Sequence, residues 1–251
     1  MARDGVETGM EIRRFFADVS DVYGDEVTIG GDEFVHMTKV LRHKPGYKIV
    51  VCPGDGSELD CTLTSIGADS AVARIDGRRR GAAELPYRVT LFQALPKGDK
   101  LSYIVQKCVE LGAARIVPFA SERTEETKFN RARMERVAIE ACKQCGRCVR
   151  CEVGELTDFD GVLSRIADAE LAIMPYEHAL NGRMGDVPGL KEAKDIALII
   201  GSEGGFAPGE VERAIAAGAK TVTLGERILR CETAGLVALA IVDYERGELG
   251  K

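Results

Sequence analysis

Residues 198–235 read LIIGSEGGFAPGEVERAIAAGAKTVTLGERILRCETAG. An apolar run stops at Gly201-Ser202-Glu203-Gly204-Gly205, and a second stops at Leu224-Gly225 before Ile228-Leu229-Arg230 and Glu232. Short buried strands that end in glycine-rich loops mark the ligand edge of open α/β sheets, outside the carboxyl ends of the strands. Glycine lets the chain turn there and lets a ligand approach the main chain closely. With Glu203, Arg230 and Glu232 beside them, the two loops read as one composite pocket. The first loop has neither the Gly-Lys-Ser/Thr of a Walker loop nor the glycine spacing of a dinucleotide fingerprint. Its central carboxylate disfavours a phosphate and suits a ligand with hydroxyls or positive charge. Taken alone, the loop also reads as an ordinary tight turn before a helix.

Outward from this stretch, the chain from residue 87 alternates strands and helices. Strands are predicted at 88–95, 115–120, 171–174, 196–200 and 221–224, with helices at 99–111, 208–217 and 233–246. Leu101, Ile104, Val105 and Cys108 form one stripe, and Gly112 ends that helix. Asn130 caps another, with Met134, Val137, Ala138, Ala141 and Cys145 on its apolar side. This alternation implies a mostly parallel sheet with helices on both faces. Residues 10–75 differ. Short β-branched strands at 26–29, 47–52, 58–66 and 70–75, punctuated by turns and one helix near 32–41, predict a small barrel. The run Arg78-Arg79-Arg80-Gly81 is expected to break this pattern and mark a boundary, giving domains at 1–78 and 79–251.

Composition bounds the function. The 251 residues are 45% apolar and 29% charged, with no tryptophan, as in a soluble globular protein. No apolar run approaches the ~20 residues of a membrane span. The first eleven residues lack an apolar centre, so a cytoplasmic location is expected, with Met10 as an alternative start after a loose segment. A net charge of −6 argues against a uniformly basic nucleic-acid binder, yet residues 97–150 hold twelve Lys or Arg against seven Asp or Glu. That excess fits either a local phosphate-facing surface or ordinary solvated helices. The eight cysteines, without an export signal, read as free thiols or ligands. Cys142, Cys145, Cys148 and Cys151 fall every third residue, a spacing that drifts about 60° per step around a helix and so shares no face. No metal is expected, although a break at Gly146 would let them gather. His36, His43 and His178 form no paired motif, which disfavours a metal centre or a catalytic triad.

The two loops together, GSEGGF and LGERILRCETA, resemble the SPOUT methyltransferase class. Within it the match is to the RsmE family of small-subunit (16S) ribosomal RNA uridine N3-methyltransferases. Arg13-Arg14-Phe15-Phe16, His36-Met37-Thr38-Lys39-Val40-Leu41-Arg42 with Gly46, Lys97, Gln106-Lys107 through Glu110-Leu111-Gly112, Pro118, Glu122-Arg123 and Glu140-Ala141-Cys142-Lys143-Gln144 continue the resemblance in order along nearly the whole chain. Ser202 stands where the family usually has proline, and Cys231 where it usually has threonine.

The resemblance implies a SPOUT-type α/β domain with a deep C-terminal trefoil knot near residues 170–240, preceded by a small PUA-like β-barrel domain. No periodicity predicts a knot. It implies S-adenosylmethionine as cofactor, held by the main chain around Met174, Pro175, Ile200, Gly201, Glu203, Gly204, Leu224, Gly225, Ile228 and Leu229. Arg230 would stabilise negative charge on the uracil carbonyls, and Glu232 or Glu203 would accept the N3 proton. Arg230 and Glu232 read equally as an ion pair pinning the knot. Arg13, Arg14, Arg42, Lys97 and Arg123 are the implied phosphate contacts. The implied partners are small-subunit rRNA or the assembled subunit and a second copy of the chain, with no membrane. Three other readings remain: a SPOUT enzyme acting on another rRNA or tRNA nucleotide, a Cys-ligated metal-containing RNA-binding protein, and a nucleotide-binding regulator that binds S-adenosylmethionine without turnover.

Overall fold

The computed structural model describes residues 12–179 and 182–250. The expected loose segment before Met10 lies outside the described residues. The chain forms two compact units, one running to Glu84 and recruiting Gly146–Val149, the other holding Leu85–Cys145 and the chain from Arg150.

The amino-terminal unit is a six-stranded sheet. Its strands are β1 (Arg14–Phe16), β2 (Val22–Tyr23), β3 (Glu26–Gly30), β4 (Lys48–Cys52), β5 (Ser57–Ile66) and β6 (Ser70–Arg80). Their order is β1-β4-β5-β6-β3-β2, antiparallel except where β1 pairs β4. Alternate side chains (Val27 and Ile29, Ile49 and Val51, Leu59, Cys61 and Leu63, Ala71 and Ala73) point into one core with Phe15, Phe34 and Met37. The expected helix is present as α1 (Gly31–Val35), which continues into a π-helical turn at His36–Val40. Arg42, just after it, has a positive φ of 54°, alone among the described non-glycine residues.

One expectation is corrected here. Arg78, Arg79 and Arg80 do not break the strand rhythm; they complete β6, paired with Leu59, Glu58 and Ser57 of β5. The reason is tertiary: Arg79 forms ion pairs with Glu58 at 2.6 Å and with Asp60, so the cations belong to a cross-strand ladder.

The second unit is the predicted α/β alternation. In chain order it contains β7 (Arg88–Ala94), α2 (Lys100–Glu110), β8 (Arg115–Ala120), α3 (Arg131–Cys145), β9 (Glu152–Val153), β10 (Thr157–Asp158) and α4 (Phe159–Ile166). It continues with β11 (Leu171–Pro175), β12 (Asp195–Ile200), α5 (Pro208–Ala216), β13 (Lys220–Val222) and α6 (Cys231–Glu245). The sheet order is β10-β8-β7-β12-β11-β13 with β9 beside β8, and every pairing is parallel. Phe92, Val117, Phe119, Met174, Ala197 and Ile199 pack with Phe159, Val162 and Ile166 of α4 and Val211 and Ala214 of α5. The other face of the sheet lies against α6, which packs on α2, and α2 in turn packs on α3.

Local signals explain most boundaries. Asn130 Oδ1 accepts the Arg133 N–H at 3.0 Å, capping α3 as expected. The unanticipated α4 carries the same kind of cap, the Gly161 N–H donating to Asp158 Oδ1 at 2.8 Å. On α3 the buried stripe is Met134, Ala138, Ala141 and Cys142, with Cys145 only half-buried. Gly146 (φ 86°) ends that helix, and Cys148 joins the amino-terminal unit, where a Cβ on Gly81 would lie 2.2 Å from its Sγ. Burial pushes the Cys148 thiol up to about 11, so it stays protonated. Among the described residues no group of three or more His, Cys, Asp or Glu is placed to hold a metal. No helix among them is long and apolar enough to cross a membrane.

Candidate functional site

The three neighbouring strands β12, β11 and β13 end at Ile200, Pro175 and Val222, so the loops that follow them emerge side by side at the carboxyl edge of the sheet. They enclose a cavity of about 290 Å³ lined by Pro175, Ile200, Gly201, Glu203, Gly204 and Leu229 among others. A smaller cavity of about 110 Å³ adjoins it, sharing Pro175, Ile228 and Leu229 and adding Leu224 and Gly225. The structure thus brings together every expected cofactor-holding residue except Met174. That side chain is fully buried in the core beneath the sheet edge and lines neither cavity.

Two glycines shape the loop. Gly205 has φ 64°, and a Cβ there would lie 2.9 Å from Glu177 Oε1. A Cβ on Gly201 would meet Phe206 at 3.1 Å and the Gly205 backbone at 3.3 Å. The loop is braced from behind, since Arg123 Nη1 donates to the Gly204 carbonyl at 3.0 Å and Gln93 Nε2 reaches the Gly201 carbonyl at 3.5 Å. Glu210, buried in α5, accepts the Glu122 and Ala207 N–H groups at 2.8 and 2.9 Å, fixing the segment that carries Arg123.

The charged centre has a member that sequence reasoning missed. Lys100, the first residue of α2, donates to Glu203 Oε1 at 2.8 Å and stands 3.5 Å from Glu232 Oε2. The Lys97 N–H donates to both Glu203 oxygens at 3.1 and 3.3 Å. The Cys231 thiol donates to Glu232 Oε2 at 3.3 Å. Arg230 Nη1 lies 3.9 Å from Glu232 Oε1, beyond a hydrogen bond, with its side chain 81% exposed.

Burial pushes the Glu203 carboxyl up, but the hydrogen bonds from Lys100 and from backbone N–H groups outweigh it and hold the group below its ordinary value. Glu232 behaves alike: burial raises it, while its own backbone N–H, the Cys231 thiol and the Lys100 charge bring it below the usual range. Its place in the first turn of α6 adds the favourable end of the helix dipole. Both groups are therefore carboxylates at neutral pH and able to accept a proton. Burial and the bond to Glu232 push the Cys231 thiol up to about 12, which excludes it as a nucleophile.

The expected phosphate contacts divide between the units. Arg13 and Arg42 are exposed on the amino-terminal unit, whereas Arg14 is committed to Glu58 at 2.7 Å. Lys97 and Arg123 are exposed on the α/β unit; the Lys97 side chain pairs with Glu125 and Arg123 braces the Gly204 loop.

A parallel α/β unit with a cleft at its carboxyl edge thus follows a small β unit, the layout of a ligand-binding enzyme whose chemistry the fold alone leaves open. Residues 83–243 match the RNA methyltransferase domain family and residues 29–76 the RNA methyltransferase PUA domain family. The α/β unit accordingly has an RNA methyltransferase fold, and the amino-terminal unit carries a PUA domain. The chain is 32% identical to ribosomal RNA small subunit methyltransferase E of Bacillus subtilis, over 93% of this chain and 97% of that one. The Neisseria gonorrhoeae ribosomal RNA small subunit methyltransferase E, solved bound to S-adenosyl methionine, superposes with a TM-score of 0.82 at 29% identity, over 93% of this chain and 98% of that one. A Legionella pneumophila methyltransferase in complex with cofactor SAM also gives 0.82, at 28% identity over 94% and 98% of the two chains. This chain belongs to the ribosomal RNA small subunit methyltransferase E family.

Proposed function

We propose that this protein is an S-adenosylmethionine-dependent methyltransferase that methylates N3 of a uridine in small-subunit (16S) ribosomal RNA. The observation that carries the reading is the ionised Glu203 in a glycine-built cleft, joined through Lys100 to the ionised Glu232, in a chain of this family.

The residues present suit the methyl donor. Its positive sulfonium would be matched by the negative charge of Glu203, and its adenine and ribose would be held by the open main chain at Pro175, Ile200, Gly201, Leu224, Gly225, Ile228 and Leu229. Added side chains at Gly201 or Gly205 would crowd that cradle. When bound, the donor supplies a methyl group already activated for displacement. The protein's share is positioning, exclusion of water and management of the N3 proton. Glu232 or Glu203 takes that proton, and Arg230, whose guanidinium is free to swing, faces charge developing on the ring carbonyls.

The finer fold belongs to the same proposal. The segment near residues 170–240 is a deep trefoil knot. The crossing of β13 to the far side of β11 from β12 supports this, as does the parallel bridge of Arg183 to Thr223, which sets the stretch after β13 beside the β11–β12 connection. The amino-terminal sheet closes as a PUA-like barrel, supported by two register shifts, one in each strand of the β5–β6 pair, over an enclosed core. That domain grips RNA through Arg13 and Arg42, with Lys97 and Arg123 contributing from the α/β unit. The enzyme works in the cytoplasm as a homodimer, consistent with the exposed Tyr244 on α6 and Ile228 on the cleft loop.

Purified protein incubated with unmodified small subunits and labelled donor should produce one N3-methyluridine, identified by mass spectrometry of nuclease fragments. Absence of that product on both free 16S RNA and subunits overturns the reading. Calorimetry with the donor alone should show binding, and no heat would remove the cofactor.

A further inference from the structure

We propose that Lys100 is a positioning residue for methyl transfer: it binds Glu203 as an anchor, ties the loop after β12 to the start of α6, and thereby leaves Glu232 as the proton acceptor. This deepens the functional reading above and rests on it.

The placement of Lys100 is informative. A cation in the first turn of a helix opposes the helix dipole, and the first turn of α2 holds no acidic residue to compensate. Asp99, immediately before it, is engaged by Arg133 at 2.8 Å. The partners of Lys100 come instead from two remote loops, Glu203 at 2.8 Å and Glu232 at 3.5 Å. One ammonium group therefore pins three elements: the start of α2, the glycine loop and the start of α6.

The two carboxylates are unequal in this clamp. Glu203 Oε1 accepts from both Lys100 and the Lys97 N–H, and its Oε2 also faces that N–H. Protonating Glu203 would break a short charge-assisted bond and release the clamp. Glu232 offers Oε2 to Cys231 and to the more distant Lys100, while its Oε1 stands 3.9 Å from Arg230 Nη1, beyond a hydrogen bond. That oxygen has the lone pair to spare. As the N3–methyl bond forms, the methyl–sulfur bond would break with its electron pair left on the departing sulfur, the N3 proton would pass to Glu232 Oε1, and the clamp on Glu203 would survive the step. The Lys100 charge favours the ionised form of Glu232, in keeping with the lowered carboxyl values of both residues.

The test compares wild type, K100M and K100R by side-chain ¹³C NMR titration of the glutamate carboxyls in the donor-free protein, and by single-turnover methyl transfer at pH 5.5 and 7.5. In K100M the Glu232 midpoint should rise by about one pH unit or more. The K100M-to-wild-type rate ratio should be about two-fold lower at pH 5.5 than at 7.5, and K100R should restore both. A merely structural lysine would lower the rate equally at both pH values. An unmoved Glu232 midpoint in K100M, or a rate ratio independent of pH, overturns the proposal. If K100M does not fold, K100Q carries the same criteria. Wild type lacking any methyl transfer would sink the functional reading instead, and the NMR titration would still decide the clamp.

Discussion

Two carboxylate clusters, one in each unit, are assembled from similar parts to opposite ends. In the amino-terminal unit Glu58, its side chain 5% exposed, is held by Arg14 at 2.7 Å and Arg79 at 2.6 Å, and Arg79 also pairs with Asp60. Two cations meet two carboxylates inside a strand ladder, so no charge is left over. In the α/β unit one lysine stands between Glu203 and Glu232, whose side chains remain 29% and 17% exposed. The second negative charge is met only loosely at an open edge, by the exposed Arg230 at 3.9 Å. A buried charge must be fully paired to be tolerated, whereas a surplus charge at a cleft can meet a cationic ligand or take a proton. The first cluster maintains a fold; the second is equipped for chemistry.

The strongest way to break that contrast is E232Q. Single-turnover methyl transfer should fall about 10²–10⁴-fold with the melting temperature unchanged. A rate within tenfold of wild type would place Glu232 with Glu58 as a structural group. The converse variant, E58A, strands Arg14 beneath the sheet. Urea unfolding should show a loss of about 2–4 kcal/mol, at the low end of a broken buried pair because Arg79 is half-exposed. Unchanged stability would remove the structural side of the comparison.

Asp243 sharpens the contrast from a third direction. It is buried, accepts the Tyr87 hydroxyl at 2.7 Å, and has Arg246 and Glu248 as charged neighbours. Burial pushes its carboxyl up to about 6. Because the folded value lies above the unfolded one, its contribution to stability is complete below about pH 4 and is lost as pH rises through 6. D243N should flatten that dependence, by about 2 kcal/mol between the two ends. Melting curves at pH 4.5 and 7.5 that keep the wild-type difference would contradict it. The smallest effect is expected from G205A, where φ 64° and the 2.9 Å approach to Glu177 strain any side chain. About 1 kcal/mol of stability and a several-fold weaker donor affinity should be lost, both readable by calorimetry.

Much of the cleft was legible because its residues sit at strand ends. Ile200-Gly201 and Leu224-Gly225 close apolar runs, and the family resemblance joined the two loops into one site. Lys100 was not legible. It reads as a solvated first-turn residue, and its partner Glu203 lies 103 positions away. Gln93 and Glu210 look like ordinary strand and helix polar residues until the fold turns them under the loop. Arg78, Arg79 and Arg80 resemble a linker for the same reason, since only the facing strand β5 supplies the acids that make them a ladder.

By itself, the sequence determined the alternation of elements, the positions of the glycine turns and the helix caps. Those depend on neighbours within a few residues, through hydrophobic period, backbone sterics and local hydrogen bonding. Only the tertiary structure decided which charges are spent and which remain available. Pairing at 3 Å joins residues a hundred positions apart, and strand order, which no local rule encodes, sets which of them meet.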